Sequence, residues 1–246
     1  MKYFQLISVT IILFFLINIQ TNAQNADSLL RKMDELMSAP KDRVATMEMI
    51  VTSKNDKETI REAQMKQKGK DRKFYRYTKP EKQAGVSTLS LPGDEMWLFM
   101  PAFDEPVKIT LLSKSQAFTG TDFSYEDMDS RSYSEKYAPT LIKSDDPKYY
   151  KLELVPRSKK SNYSKILVTL EKVNHYPIKM EYFDGKGNFF KEATYQYARQ
   201  GKYWYAKEVL MEDLKKGSST KIVMKDMKFD QGLSDDEFTL EKMMEK

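Results

Sequence analysis

The chain has 246 residues, with 41 Lys and Arg against 36 Asp and Glu, a formal net charge of +5. That margin is too small and too evenly spread for a nucleic-acid binder, and 40% hydrophobic with 31% charged residues is the make-up of an ordinary globular chain, not a disordered one. There is no Cys and a single His, which excludes disulfides, thiolate nucleophiles and Cys-based metal sites and removes most imidazole chemistry.

The first 23 residues have three parts: Lys2, an apolar stretch over 6–17 broken only by Ser8 and Thr10, and Thr21-Asn22-Ala23 with small side chains where a signal peptidase reads. This predicts a secretory signal over 1–23, cleaved after Ala23, and the apolar stretch is short for a membrane span. An uncleaved N-terminal anchor is the competing reading. The expected mature chain, 24–246, is long enough for one sizeable core and short for two, so a single domain is expected. It is expected to be secreted, soluble beyond the inner membrane.

Within that domain, Asp27 can cap a helix that carries Leu29, Met33 and Leu36 or Met37 on one face and ends before Pro40. The period then changes to two: Ala45, Met47, Met49 and Val51 alternate with Thr46, Glu48, Ile50 and Thr52, the pattern of a half-buried strand. Further strands are expected over 58–66, 72–78, 85–91, 95–100, 106–112, 149–155, 165–171, 178–183, 189–197, 204–212 and 220–229. The breaks between them carry turn residues, such as Pro92-Gly93-Asp94 and Asp184-Gly185-Lys186-Gly187. Strands at hairpin spacing without intervening helices predict an antiparallel meander. The one long interruption, about 113–148, is polar and aromatic. Ser234 and Glu237 have capping-box spacing and predict a last short helix through Phe238, Leu240 and Met243. The fold class is therefore mainly β. A sheet of about eleven strands must curl, close or split, and the expected solution is a strongly curved sheet whose concave face the helices cover.

Catalytic chemistry has few places to reside. His175 lies in the turn Asn174-His175-Tyr176-Pro177, without a Gly-x-Ser-x-Gly elbow elsewhere, and reads as a surface turn residue. Asp122, Glu126, Asp127 and Asp129 cluster in the interruption; their spacing does not match a calcium loop, and capping of a short helix explains them better than acid/base work. No catalytic residue, metal or cofactor is expected. Lys66, Lys68, Lys70, Arg72 and Lys73, and likewise Arg157, Lys159 and Lys160, crowd expected hairpin tips. Solvated ends and contact with anionic lipid headgroups are the two readings, the first favoured. Asn162-Tyr163-Ser164 matches a glycosylation acceptor, a pattern common by chance.

The most unusual feature is apolar. Met96-Trp97-Leu98-Phe99-Met100-Pro101-Ala102-Phe103 is apolar on both faces of its strand, which implies cover on both sides. Phe118, Phe123, Tyr125 and Met128 add apolar surface from the interruption, and the chain holds 15 Met, whose flexible thioethers suit surfaces that repack around variable guests. Core packing and a ligand cavity are equally good readings of this run.

Three stretches resemble the outer-membrane lipoprotein-sorting protein family, the LolA-like carriers. They are Phe74-Tyr75-Arg76-Tyr77-Thr78-Lys79-Pro80 with Gly85-Val86-Ser87-Thr88-Leu89, then Met96-Trp97-Leu98-Phe99-Met100-Pro101, and then Ser115-Gln116-Ala117-Phe118-Thr119-Gly120-Thr121-Asp122-Phe123-Ser124-Tyr125-Glu126-Asp127-Met128. Leu233-Ser234-Asp235-Asp236-Glu237-Phe238-Thr239-Leu240 is similar to the family's closing segment. The resemblance implies an unclosed antiparallel β-barrel with helices against its concave side and an apolar cavity for acyl chains. It implies a non-enzymatic periplasmic carrier of a lipid or lipoprotein, with an inner-membrane exporter as partner and transient contact with membranes. Phe99 stands where the family more often has Tyr, and Thr119 and Thr121 replace Met and Ser. No position matches the arginine that latches the cover in the housekeeping carrier. The expected cavity contacts are Trp97, Phe99, Met100, Phe103, Phe118, Phe123 and Met128. The alternative is a protein-interaction or sensor module of the same fold with no lipid cargo.

Overall fold

The computed structural model describes residues 25–110 and 116–245; the expected export signal lies outside them. Helix α1 (25–37) is followed by β1 (Asp42–Thr52), β2 (Glu58–Lys68), β3 (Arg72–Lys79), β4 (Ser87–Leu91), β5 (Glu95–Phe99) and β6 (Pro106–Lys108). Two single-turn helices, α2 (Tyr125–Met128) and α3 (Tyr133–Lys136), then lead into β7 (Tyr137–Ile142). The chain continues through β8 (Tyr149–Pro156), β9 (Lys165–Glu171), β10 (Pro177–Phe183), β11 (Phe189–Gln200), β12 (Tyr203–Asp213) and β13 (Ser218–Phe229), and closes with a 3-10 turn (Asp235–Phe238) and α4 (Leu240–Met244).

All thirteen strands form one antiparallel sheet in the order β6-β5-β4-β3-β2-β1-β13-β12-β11-β10-β9-β8-β7. Every neighbour pair is consecutive in sequence except β1–β13, where Met49 faces Ile222 and Met47 faces Met224. The two halves of the chain are thus meanders joined at their ends, and the free edges β6 and β7 do not pair with each other. This is the unclosed barrel. The extra strand relative to the sequence expectation is β7, hidden in the polar interruption; it contains Pro139, which an edge strand tolerates because one side of its backbone needs no partner.

Alternation sorts the side chains onto two faces. Ala45, Met47 and Met49 of β1, Ala63 and Met65 of β2, and Tyr75 and Tyr77 of β3 join Leu152, Leu154, Ile166, Val168, Leu170, Met180, Tyr182 and Met211 in one buried cluster on the concave face. From α1, Ala26, Leu29, Leu30 and Met33 pack into it, the stripe that three- and four-residue spacing predicts. Each fully buried Leu, Ile, Val or Met of this cluster contributes roughly 1.5–3 kcal/mol.

The intervening residues face the other way. Phe74, Leu89, Phe99, Phe238 and Met243 form a second cluster, with Trp97, Leu91, Leu233 and Leu240 packed against it. The C-terminal segment therefore covers the convex side of β3–β5. It does not lie on the concave face, where a helix at each end of the chain was expected. Its polar contacts agree: Lys66 and Lys68 pair with Glu237 and Asp235, and Arg76 donates to the carbonyl of Met243 at 3.2 Å. The expected Ser234–Glu237 capping box does not form. Ser234 accepts from the Asp236 amide at 3.0 Å while Glu237 is drawn to Lys66, and α4 is capped by Thr239 instead.

Candidate functional site: a pinned cover over the concave face

Because β6 and β7 are opposite edges of the sheet, the chain between them must cross the open side of the half-barrel. Residues 116–136 make that crossing. They start with a small hairpin in which the Phe118 amide donates to the Phe123 carbonyl at 2.7 Å and the Tyr125 amide to the Gln116 carbonyl at 3.1 Å. Thr119 and Gly120 take positive φ at its tip. Ser124 then caps α2 in a reciprocal box: its hydroxyl accepts from the Asp127 amide at 3.1 Å, and the Asp127 carboxylate accepts from the Ser124 amide at 2.8 Å.

Three of the four clustered carboxylates fasten this segment to the rest of the barrel, and the fourth, Asp129, braces the segment internally. Asp122 accepts from Ser218 at 2.6 Å and Thr220 at 2.7 Å, both on β13. Glu126 accepts from the Ser161 hydroxyl at 2.6 Å, the Asn162 amide at 3.0 Å and the Tyr137 hydroxyl at 3.2 Å. Asp127 accepts from Lys191 of β11 at 2.9 Å and from Tyr163 at 2.8 Å. Asp129 pairs with Arg131 at 3.1 Å and Lys136 at 3.3 Å. Burial alone would raise the Asp127 pKa, but the Lys191 charge and the bonds from Ser124, Lys191 and Tyr163 hold it below the usual carboxylate range. On the other half of the sheet, Arg61 of β2 donates to the Thr119 carbonyl and Tyr77 of β3 bonds to the Thr119 hydroxyl. From α1, Asp34 accepts from the amides of Tyr133 and Ser134 at 2.8 and 2.9 Å. The sequence read these carboxylates as caps; only Asp127 closes a capping box, and the distant partners, Ser161 of Glu126, Tyr163 and Lys191 of Asp127, and Ser218 and Thr220 of Asp122, lie 35 to 98 residues away, out of reach of local pattern.

Beneath the cover lies a surface of methionine and tyrosine. Met33, Met47, Met49, Met65, Met96, Met180, Met211 and Met227 are all in the main core, which Met128 of the cover joins from above. The hydroxyls of Tyr133, Tyr182 and Tyr195 converge on the Met180 sulfur at 3.5, 3.6 and 3.3 Å. A thioether is a weak acceptor, so the three phenols gain little from the sulfur, and burial pushes the pKa of each upward.

The residues expected to contact a ligand fall into three groups. Phe118, Phe123 and Met128 are buried on the concave side, with the Phe118 ring set edge-on to Tyr75 at 5.9 Å and Tyr125 at 5.4 Å. Trp97 and Phe99 face the convex cluster with Phe238 and Met243, so the second cover of this two-sided apolar strand is the chain's own C-terminus. Met100 is half-buried at the end of β5, and Phe103 is 67% exposed in the following turn. The structure does not bring these seven residues together. His175 sits in a left-handed turn stacked on Tyr150 at 6.2 Å, as expected of a surface turn.

A family model described as “-like: Uncharacterized protein” matches residues 69–245. Among solved structures, an outer membrane lipoprotein-sorting protein domain from Vibrio parahaemolyticus is similar with a TM-score of 0.85 and 28% identity, over 91% of this chain and 100% of that one. A LolA superfamily protein from Nitrosomonas europaea is similar with a TM-score of 0.74 and 26% identity, over 87% and 97%. A DUF1329 family protein from Desulfovibrio piger, 22% identical with a TM-score of 0.83 over 90% and 99%, shares the fold. No curated protein matches the chain.

Proposed function

Because the chain belongs to the LolA-like, outer-membrane lipoprotein-sorting family, we propose that it is a non-enzymatic carrier that shelters the acyl chains of a lipid or lipoprotein on its concave face. The observation that carries this reading is the pairing of a methionine-lined interior with a separate cover fastened by polar bonds at its rim. Methionine side chains repack at little cost, and each CH₂ withdrawn from water contributes about 0.8 kcal/mol. A chain of ~16 carbons would gain about 10 kcal/mol before ordering costs, so partial burial already gives useful affinity. Entry requires residues 116–136 to shift, with Phe118, Phe123 and Met128 yielding their places to the guest. Release reverses that shift.

The expected export signal and the family's setting support a periplasmic carrier working between an inner-membrane exporter and the outer membrane. Native mass spectrometry of the purified protein, with titration of a delipidated sample by a fluorescent fatty acid, tests this reading. Co-purified lipid and saturable binding are the expected results; absence of both sinks it. One observation favours a second reading: Phe118, Phe123 and Tyr125 are themselves buried in the concave-face cluster, as in a protein-interaction module without cargo. That module would show neither signal.

A further inference from the structure

At one end of the concave face the apolar lining gives way to a polar row. Cross-strand register places Arg43 of β1 opposite Gln67 of β2, and Gln67 opposite Lys73 of β3. All three share the face of Met47, Met65 and Tyr75, since they follow the same alternation. A cavity of about 460 Å³ opens above this row, walled by α1 on one side and by residues 127–136 on the other. Its size falls in the range of about 300–1,000 Å³ common for small-molecule sites.

The charges in the cavity do not cancel locally. Glu135 pairs with Lys70, Asp127 with Lys191, and Asp129 with Arg131 and Lys136. Asp34 is occupied by the amides that open α3. Arg31 and Glu35, of opposite sign, stand at the exposed rim. Arg43 and Lys73 are left with neutral acceptors: the guanidinium Nε donates to the Gln67 amide oxygen at 3.0 Å, and the Lys73 ammonium donates to the backbone carbonyl of Asp129 at 3.0 Å. Among the described residues, neither forms an ion pair. Two half-buried cations facing one cavity repel each other, and an arrangement of this kind is costly unless an anion completes it.

We propose that this cavity is an oxyanion site in which Arg43 and Lys73 take a phosphate group between them, with Gln67 fixing the guanidinium. Arg supplies a planar fork and Lys a point charge, the two modes by which proteins hold phosphate. The site lies where the interior meets the rim, so the phosphate of a lipid headgroup and a free phosphate present the same chemistry to it. The inference rests on the cavity alone and stands whether or not the interior accepts acyl chains. Burial and the neighbouring guanidinium push the Lys73 pKa down to about 7, the direction that an unsatisfied cation produces and that a bound anion would reverse.

Isothermal titration of the full chain with inorganic phosphate and with soluble dihexanoyl phosphatidylglycerol tests the site, alongside a neutral fluorescent acyl alcohol. At least one of the two phosphates should bind saturably, and Arg43→Gln and Lys73→Gln should each weaken that binding about tenfold or more. Binding of both phosphates marks a free oxyanion site; binding of the lipid alone marks a headgroup site. Ser132→Asp, which adds a carboxylate at the cavity wall and keeps both cations, should weaken binding as well and serves if a Gln variant does not fold. Failure of both phosphates to bind, or undiminished binding in folded variants, overturns the proposal. The acyl alcohol separates the two readings: its binding is unaffected by these variants if the interior is a carrier, and its failure alone counts only against the carrier.

Discussion

Lys191 Nζ donates to Asp127 Oδ2 at 2.9 Å across the concave face, with 5% and 7% of the two side chains accessible. Tyr163 completes the arrangement, donating to the same carboxylate at 2.8 Å while accepting from Lys191 at 3.2 Å. With Asp129–Lys136, the Lys191–Asp127 contact is one of two deeply buried ion pairs of the cover, and the one that ties the cover to β11. Removing one partner strands a charge, so Lys191→Met should cost about 3–5 kcal/mol in urea denaturation. The double variant Asp127→Leu with Lys191→Met should recover most of that loss. A double variant as unstable as the single would show that the pair does not act as a unit.

The same carboxylate makes the cover sensitive to acid. Its folded pKa lies below the unfolded value of 3.8. The stabilisation is therefore complete above that value and is lost as pH falls through the lower folded pKa. Protection of the amides in residues 116–136, corrected for their intrinsic exchange rates, should fall as pH drops below about 4. Asp127→Asn should show fast exchange at neutral pH and lack that step.

Lys73 carries the opposite sign. Its folded pKa of about 7 lies below the unfolded 10.5, so the unfolded chain binds more protons between those values. The cost of keeping it charged is full below pH 7 and is relieved as pH rises toward 10.5. Burial is the main cause; Arg43 and Lys136 add repulsion, and Asp129 partly offsets them. Lys73→Met should raise stability by about 1–3 kcal/mol at pH 6, a figure reduced because the side chain is only half-buried, and the gain should shrink by pH 10. Equal melting temperatures for the two proteins at pH 6 would refute this.

Gly85 connects β3 to β4 at φ +83°, and a Cβ there would lie 2.9 Å from the Pro101 Cγ. Gly85→Ala meets both a disfavoured backbone region and a ring with little room to retreat, and should cost about 1–3 kcal/mol. Thermal melts read the loss directly. Gly93→Ala provides the comparison, with φ +79° but open space around it, and should cost less.

The convex cluster offers a control for the carrier reading. Phe238→Ala removes a buried ring that packs with Phe99 and Leu89, and should destabilise by about 3–5 kcal/mol. Uptake of an acyl probe by the folded fraction should be unchanged, because the ring lies on the far side of the sheet from the proposed guest. A change in probe affinity would place the guest on the wrong face.

Much of the strand layout was legible because it is local. The alternation of Ala45, Met47 and Met49 marked β1, and the spacing of Leu29 and Met33 marked α1. What escaped was long-range. The basic run around residues 66–73 looked like one solvated tip, yet the period of two sends Lys66 and Lys68 outward to Glu237 and Asp235, respectively, and Lys73 inward to the cavity. Trp97 and Met96 are neighbours in sequence and belong to opposite clusters. An apolar run can announce that a strand is covered twice, but it carries no information on which segment supplies each cover.

The pairing of β1 with β13 also dictates the order in which the molecule is made. Met49 must find Ile222, so the seam at the middle of the sheet has to wait until the chain has been made through β13. Each meander can begin zipping early, yet neither owns the neighbour that stabilises its first or last strand. Contacts of such high sequence separation slow folding, and the two half-sheets expose unpaired backbone in the meantime. Losing the final strand would leave β1 and β12 as sticky new edges, so the last dozen residues of the sheet act as the clasp for everything synthesised before them.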